Sequence, residues 1–314
     1  MSYRWSIIKV ALGSLLALFL ALAPLLFQRR YAQHVLILVL LYVVLSSAWN
    51  ILGGFAGQLS LGHAAFFGIG AYVAAILSSK SSISPWWAII LGPAAALPAA
   101  LIIGWACFRL RGPYFALATI AVGEVIRLLA LNWRALTGGA VGIVIRPSVF
   151  SGTSKIPYYY IALILALSSV ALSWWLRSSR LGYFLMAIRE DEETAESIGI
   201  DAARCKLTAL ALSAALTALG GAFYANYFLF VDPSIVLPLS LSVEIVLMAI
   251  IGGLGTVWGP VLGAALLKVS SEALRNAFER ANLLIYGLLL MAVILFMPGG
   301  LVGGIKRKFA MAHK

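Results

Sequence analysis

The chain has 314 residues, 62% of them hydrophobic and 11% charged, with a mean hydropathy of +1.00. Soluble domains carry about 25% charged residues, so the composition excludes one and defines a polytopic membrane protein. The formal charge of +12 would suit a nucleic acid, but the basic residues stand mostly at the ends of apolar windows and not in one aromatic-studded stripe, so they mark topology and no nucleic acid is expected as partner.

A helix crossing a bilayer needs about 20 apolar residues. Such windows fall at about 7–27, 34–52, 59–77, 86–106, 114–131, 158–176, 205–227, 239–268 and 283–303. Almost nothing remains for a soluble domain, so residues 1–314 read as a single transmembrane domain, an all-α bundle. The first window follows Arg4 and Lys9 and carries Ala-Leu-Ala at 21–23, like a secretory signal. Pro24 is a poor cleavage neighbour and more windows follow, so an uncleaved helix is expected. The second window runs into Gly53, Gly54 and Gly57, and the third contains His63 among small residues. His63 reads as a helix-packing hydrogen bond before a ligand or proton relay.

In the fifth window Glu124 and Arg127 lie three apart, share a helix face and can neutralise one another. Beyond it, Thr-Gly-Gly at 137–139 reads equally as a turn or as part of an outward docking surface. Cys107 and Cys205 fall near span ends on the cytoplasmic side, without metal-ligand spacing, and read as reduced structural residues. No metal or cofactor is expected.

Residues 177–204 form the longest cytoplasmic loop and hold five of the chain's eleven carboxylates within 190–196. The expected structure is a short helix over about 187–198, ended by Gly199 as a left-handed cap, with Asp201 capping the next helix. Ile188, Ala195 and Ile198 would share one side and Arg189 would pair with Glu193. The eighth window places Glu244 near its start, with no base within a turn or two; Arg127 is one partner it could reach in space. The window is too long for one helix, and Gly252, Gly253, Gly255 and the Gly-Pro pair at 259–260 interrupt it. Two helices there give ten spans; nine is the alternative. With ten, and an inside N-terminus, thirteen basic residues face the cytoplasm and nine, Lys268 among them, face outward, a modest positive-inside bias. The two glycine blocks, 53–57 and 252–255, echo each other. Close helix packing and broken helices beside a transport path explain them equally well.

Several blocks in order, ILGGFAGQLSLGHAAFFGIGAY (51–72), RGPYFALATIAVGEVIRLLALNW (111–133), LTGGAVGI (136–143), AIREDEETAESIGID (187–201) and SVEIVLMAIIGGLGTVWGPVLGAAL (242–266), resemble the LivM-type permease subunits of ATP-driven branched-chain amino-acid importers. The resemblance spans about 34–303. It implies a bacterial or archaeal inner-membrane location, a second permease subunit, two cytoplasmic ATP-binding-cassette ATPases and an extracytoplasmic substrate-binding protein. It also implies an amino-acid substrate moved inward by alternating access. The acidic loop would be the coupling element docking on an ATPase, through Glu192, Glu193, Ala195, Glu196 and Gly199. The chain has no Gly-Lys-Ser or Gly-Lys-Thr phosphate loop, so ATP chemistry would come from partners and the chain itself is not an enzyme. A urea or amide permease of the same family is one alternative. An ion-coupled secondary transporter using Glu124, Glu244 and His63 is another. A membrane enzyme is disfavoured, since neither a His-Glu-x-x-His motif nor paired aspartates are present.

Overall fold

In the computed structural model the described residues are 29–80, 84–145 and 154–277, with 23, 24, 287, 291 and 300–303. The expected spans at 7–27 and 283–303 lie almost wholly outside them. The described helices are α1 (Arg30–Asn50), α2 (His63–Lys80), α3 (Ala88–Cys107), α4 (Pro113–Asn132), α5 (Ile156–Ser178), α6 (Arg180–Glu190), α7 (Glu192–Ser197), α8 (Ala202–Phe228), α9 (Leu239–Gly252) and α10 (Gly259–Ala277). The α1 rod continues as a π-helix over Ile51–Phe55. Single helical turns occur at Arg134–Thr137 and Pro233–Val236.

Six of these rods are long and apolar enough to cross a membrane: Arg30–Phe55, Ala88–Cys107, Pro113–Asn132, Ile156–Ser178, Ala202–Phe228 and Pro233–Gly252. The apolar helix at His63–Ser79 is shorter. The fold is therefore a polytopic helical membrane bundle with six candidate spans among the described residues, and a count of ten remains an expectation from the sequence. The eighth window is indeed two helices: α9 stops at Gly252 and α10 starts at Gly259.

The connections gather at two ends. At one end, residues 53–58, 108–112, 178–201 and 253–258 come together, joined by Arg111–Glu193 and Arg189–Gly54 contacts. At the other, a two-residue antiparallel ladder pairs Ile143 with Val231 and Val144 with Phe230, and Tyr31 donates to Glu272. Successive rods thus alternate in direction, as membrane spans must.

Burial separates inner from outer rods. The central window of α1 is 72% buried, whereas that of α4 is 22% buried. Inside, α2, α3 and α8 approach through small residues: a Cβ on Gly70 would overlap the Ala218 carbonyl, one on Gly221 would overlap the Phe67 carbonyl, and Gly92 faces Gly70. Lipid tails are as apolar as leucine, so close backbone approach is what holds such helices together. One apolar core fills the middle of the bundle around Leu41, Leu45, Phe67, Phe223 and Met248. A second sits at the loop-rich end around Ile51, Leu52, Phe115, Leu176 and Leu210, and includes Leu185, Ile188 and Ala195 of α6 and α7.

Candidate functional site

The acidic stretch forms two helices where one was expected over 187–198. Asp191 turns extended (φ −157°, ψ 111°), ends α6 and caps α7, its carboxylate accepting from the Thr194 N–H at 2.9 Å. A short polar side chain that can satisfy an orphan N–H favours such a break. That bond holds the Asp191 carboxyl below its ordinary pKa. At the far end Gly199 has φ +90°. Its N–H bonds the Glu196 carbonyl and the Ile200 N–H bonds the Ala195 carbonyl, the pair that defines a Schellman stop. Asp201 then caps α8 through the Arg204 N–H at 3.0 Å. The glycine and Asp201 caps follow the expectation.

Three ties fasten this peg to the bundle. Glu192 receives the Lys206 ammonium at 2.6 Å, and the Lys206 side chain is 3% exposed, lying over the Phe108 ring. Glu193 pairs with Arg111 at 2.7 Å in the open; that hydrogen bond, with the charge of Glu192, raises the Arg111 pKa. Arg189 donates to the Gly54 carbonyl at 2.7 Å. The expected Arg189–Glu193 pair is therefore not made, because each has a partner on another element. Ala195 and Ile188 are buried as expected, but Ile198 is 74% exposed and leaves their side. Glu196 and Glu190 are exposed too. The tied face of the peg thus points inward, and Glu196 with Ile198 points away.

The glycine blocks meet in space. Asn50, at the end of α1, donates to the Thr256 carbonyl and accepts from the Gly255 N–H, each at 3.0 Å. A Cβ on Gly54 would strike Asn50 and come within 2.7 Å of the Gly255 nitrogen; one on Gly53 would strike Trp49; one on Gly252 would strike the Gly259 carbonyl. Gly57 and Gly255 have φ near +70° and Gly253 has φ +125°. The helices break there, and they break in close contact.

Among the described residues, Glu124 and Glu244 both hold a basic partner. Arg127 grips Glu124 through two bonds, of 2.8 and 2.5 Å, with the side chains 26% and 46% exposed on the outer face of α4. Glu244 does not reach Arg127. It binds Lys268 at 2.8 Å and accepts from the Tyr42 hydroxyl at 3.0 Å, while the ammonium lies over the Tyr42 ring. Lys268 is therefore a residue inside α10, not of an outward loop; the break at 253–258 shifts the helix and carries it to the depth of Glu244. His63 is fully buried, its Nε2 at 2.7 Å from the Ser213 hydroxyl, which donates to the Ala48 carbonyl. That chain of bonds makes Nε2 the donor and ties α2 to α8 and α1, the packing role expected. A cavity of about 260 Å³ opens between α2, α4 and α9, lined by Leu61, Gly62, Ile120, Glu124, Leu239 and Ser242. Cys107 and Cys205 are buried and free.

Lys206 and Asn50 were not singled out by the sequence, and Arg189 and Lys268 were given other places. A base inside an apolar window was the available signal for the two lysines, since burial of a lysine demands a partner. Nothing in the sequence says which carbonyl an arginine will reach.

No described cluster of His, Cys, Asp and Glu could hold a metal, and what the geometry offers is linkage between a surface peg and membrane-deep helices. The class it defines is a multi-pass helical membrane protein. Residues 31–297 match the family model described as "Branched-chain amino acid transport system / permease component", and the chain belongs to that family. It is 30% identical over 324 residues to the high-affinity branched-chain amino acid transport system permease protein LivM of Escherichia coli (strain K12), covering 95% of this chain and 76% of that one. It is 25% identical over 287 residues to LivH of the same organism, covering 83% and 91%. A probable branched-chain amino acid transport permease protein LivM of Methanocaldococcus jannaschii is 24% identical over 211 residues, covering 62% and 61%.

Proposed function

We propose that the chain is the permease subunit of an ATP-driven importer that moves branched-chain amino acids (leucine, isoleucine and valine) inward across the inner membrane by alternating access. Its partners are a second permease, two cytoplasmic ATPases and an extracytoplasmic binding protein. The observation that carries this is the peg. A lever must be rigid, joined to the spans, and free on the side that meets its driver. The α6–α7 pair is capped by Ser179, Asp191 and Gly199 and tied through Lys206, Arg111 and Arg189, while Glu196 and Ile198 face out. Glu192, Glu193, Ala195 and Gly199 then act as the frame that presents Glu196 to an ATPase.

The substrate assignment draws on the relatives' names and on the cavity beside Glu124. Its walls are mostly apolar, with Leu61, Ile120, Leu237 and Leu239 among them, which suits an aliphatic side chain better than urea. Glu124 and Arg127 sit on the face we assign to the second permease, because a charge pair turned to lipid is costly. Both deep carboxylates hold a basic partner, which speaks against free proton carriers and so against the ion-coupled alternative.

The test is uptake of labelled leucine into vesicles holding the complete assembly, with binding protein outside and ATP inside. Glu196→Arg should abolish uptake and ATPase binding while the permease still inserts. Normal transport by this variant would remove Glu196 from the coupling surface. A wild-type assembly that moves urea and no leucine would overturn the substrate assignment.

A further inference from the structure

The four residues after Arg189 are Glu190, Asp191, Glu192 and Glu193, yet its guanidinium pairs with none of them. The ion pairs described in this region are Arg111–Glu193, Arg204–Asp201 and Lys206–Glu192. Instead Nη1 donates to the Gly54 carbonyl at 2.7 Å. That carbonyl lies in the closing turn of the π-helix, and the N–H that would take it in a continuing α-helix, that of Gln58, bonds back to Leu52. A carbonyl left over at the negative end of a helix is a strong acceptor for a cation.

The two glycine blocks close around the same side chain. A Cβ on Gly57 would come within 2.9 Å of Arg189 Cγ, and one on Gly255 within 2.5 Å of Nη1. The stem of Arg189 thus runs past the first block and its head sits against the second. Asn50 clamps the two blocks to each other at that junction. Both blocks end rods: Gly54 lies in the π-helical end of the Arg30–Phe55 rod, whose window is the most buried of the candidate spans, and Gly255 follows α9. π-Helical turns are rare and are frequent at functional sites.

We infer that Arg189 is the positioning residue that locks the peg to both glycine breaks, so that a displacement of α6–α7 is handed at once to the ends of α1 and α9. What displaces the peg rests on the coupling function proposed above; the lock is a property of this chain alone.

Two measurements separate these. In the full-length chain in nanodiscs, with Cys107 and Cys205 replaced by alanine, nitroxides at Ile198→Cys and Leu254→Cys report the distance from peg to break. One narrow distribution is expected in the presence of Arg189, a clearly broadened or shifted one in Arg189→Met, and partial recovery in Arg189→Lys, which keeps the charge but loses the planar head. In the complete assembly, Arg189→Met should retain bound ATPase and ATP hydrolysis while leucine moved per ATP falls at least ten-fold. An unchanged distance distribution overturns the lock, as does wild-type transport per ATP. Loss of ATPase binding would make Arg189 a docking residue and also overturn it. If Arg189→Met does not insert, Arg189→Lys carries the same comparison. If the wild-type assembly moves no leucine, the proposed function falls and the distance measurement alone decides the lock.

Discussion

The buried lysine that ties the peg to α8 shows how burial ranks two halves of one ion pair. The Lys206 side chain is 3% exposed and that of Glu192 is 22% exposed. Removing the carboxylate strands an ammonium in an apolar pocket; removing the ammonium leaves a carboxylate that can turn to water. Breaking a buried pair costs about 3–5 kcal/mol, less where water reaches the survivor. Glu192→Gln should therefore destabilise the detergent-solubilised protein by more than Lys206→Met does, as read from thermal unfolding; the reverse order would contradict the burial argument. Glu244 and Lys268 follow the same logic at membrane depth, with Tyr42 as third member. Either single neutralisation should lower stability, and the pair Glu244→Gln with Lys268→Met should recover part of it. A double-mutant cycle should give a coupling of about 1–3 kcal/mol, and a coupling near zero would mean that the pair is not formed in the membrane.

At the scale of the element, the peg is held by its caps. The space around a Cβ at Gly199 is open, so alanine there pays only for the left-handed backbone, about 1–2 kcal/mol. Gly199→Ala should speed amide exchange over residues 195–200 without changing the global melting temperature; equal exchange would show that the cap is not limiting. Asp191 adds a pH dependence with a definite sign. Its folded pKa is depressed by the Thr194 N–H, so the folded state binds fewer protons than the unfolded one. The cap's contribution is full above the ordinary aspartate value of about 3.9 and is lost as pH falls through the lower folded value. Exchange protection at Thr194, corrected for intrinsic rate, should be flat from pH 7 to 5 and fall only in acid; Asp191→Ala should remove it at every pH.

Taken whole, the bundle has a buried side and an unpartnered one. The outer face of α4 exposes Leu117, Val125, Leu128 and Leu129, as a lipid face would, but places the Glu124–Arg127 pair among them. If a second permease covers that pair, Arg127→Leu, which leaves Glu124 unpaired, should weaken co-purification of the two permeases several-fold while the single chain still inserts. Unchanged pairing would place the second subunit elsewhere. The whole molecule also sets which connections can meet: alternation of the rods brings 53–58, 189–201 and 253–258 to one end, and only there can a peg address two breaks together.

Hydrophobicity and length are local quantities, and the sequence determined what depends on them: a polytopic helical bundle, most helix positions, the break in the long window, and an acidic loop ended by Gly199 and Asp201. Capping was legible for the same reason, since an Asp or Gly acts within a few residues of itself. Partner choice was not. Arg189 passes over four adjacent carboxylates to reach a carbonyl 135 residues away, and Glu244 pairs with Lys268 only because the chain stops at Gly252 and starts again at Gly259. The echo of the two glycine blocks was visible as a pattern, but whether they packed or broke depended on their meeting across Asn50. Such pairings are settled by the free energy of burying charge and of satisfying helix-end carbonyls, and those terms exist only once distant rods have been brought together.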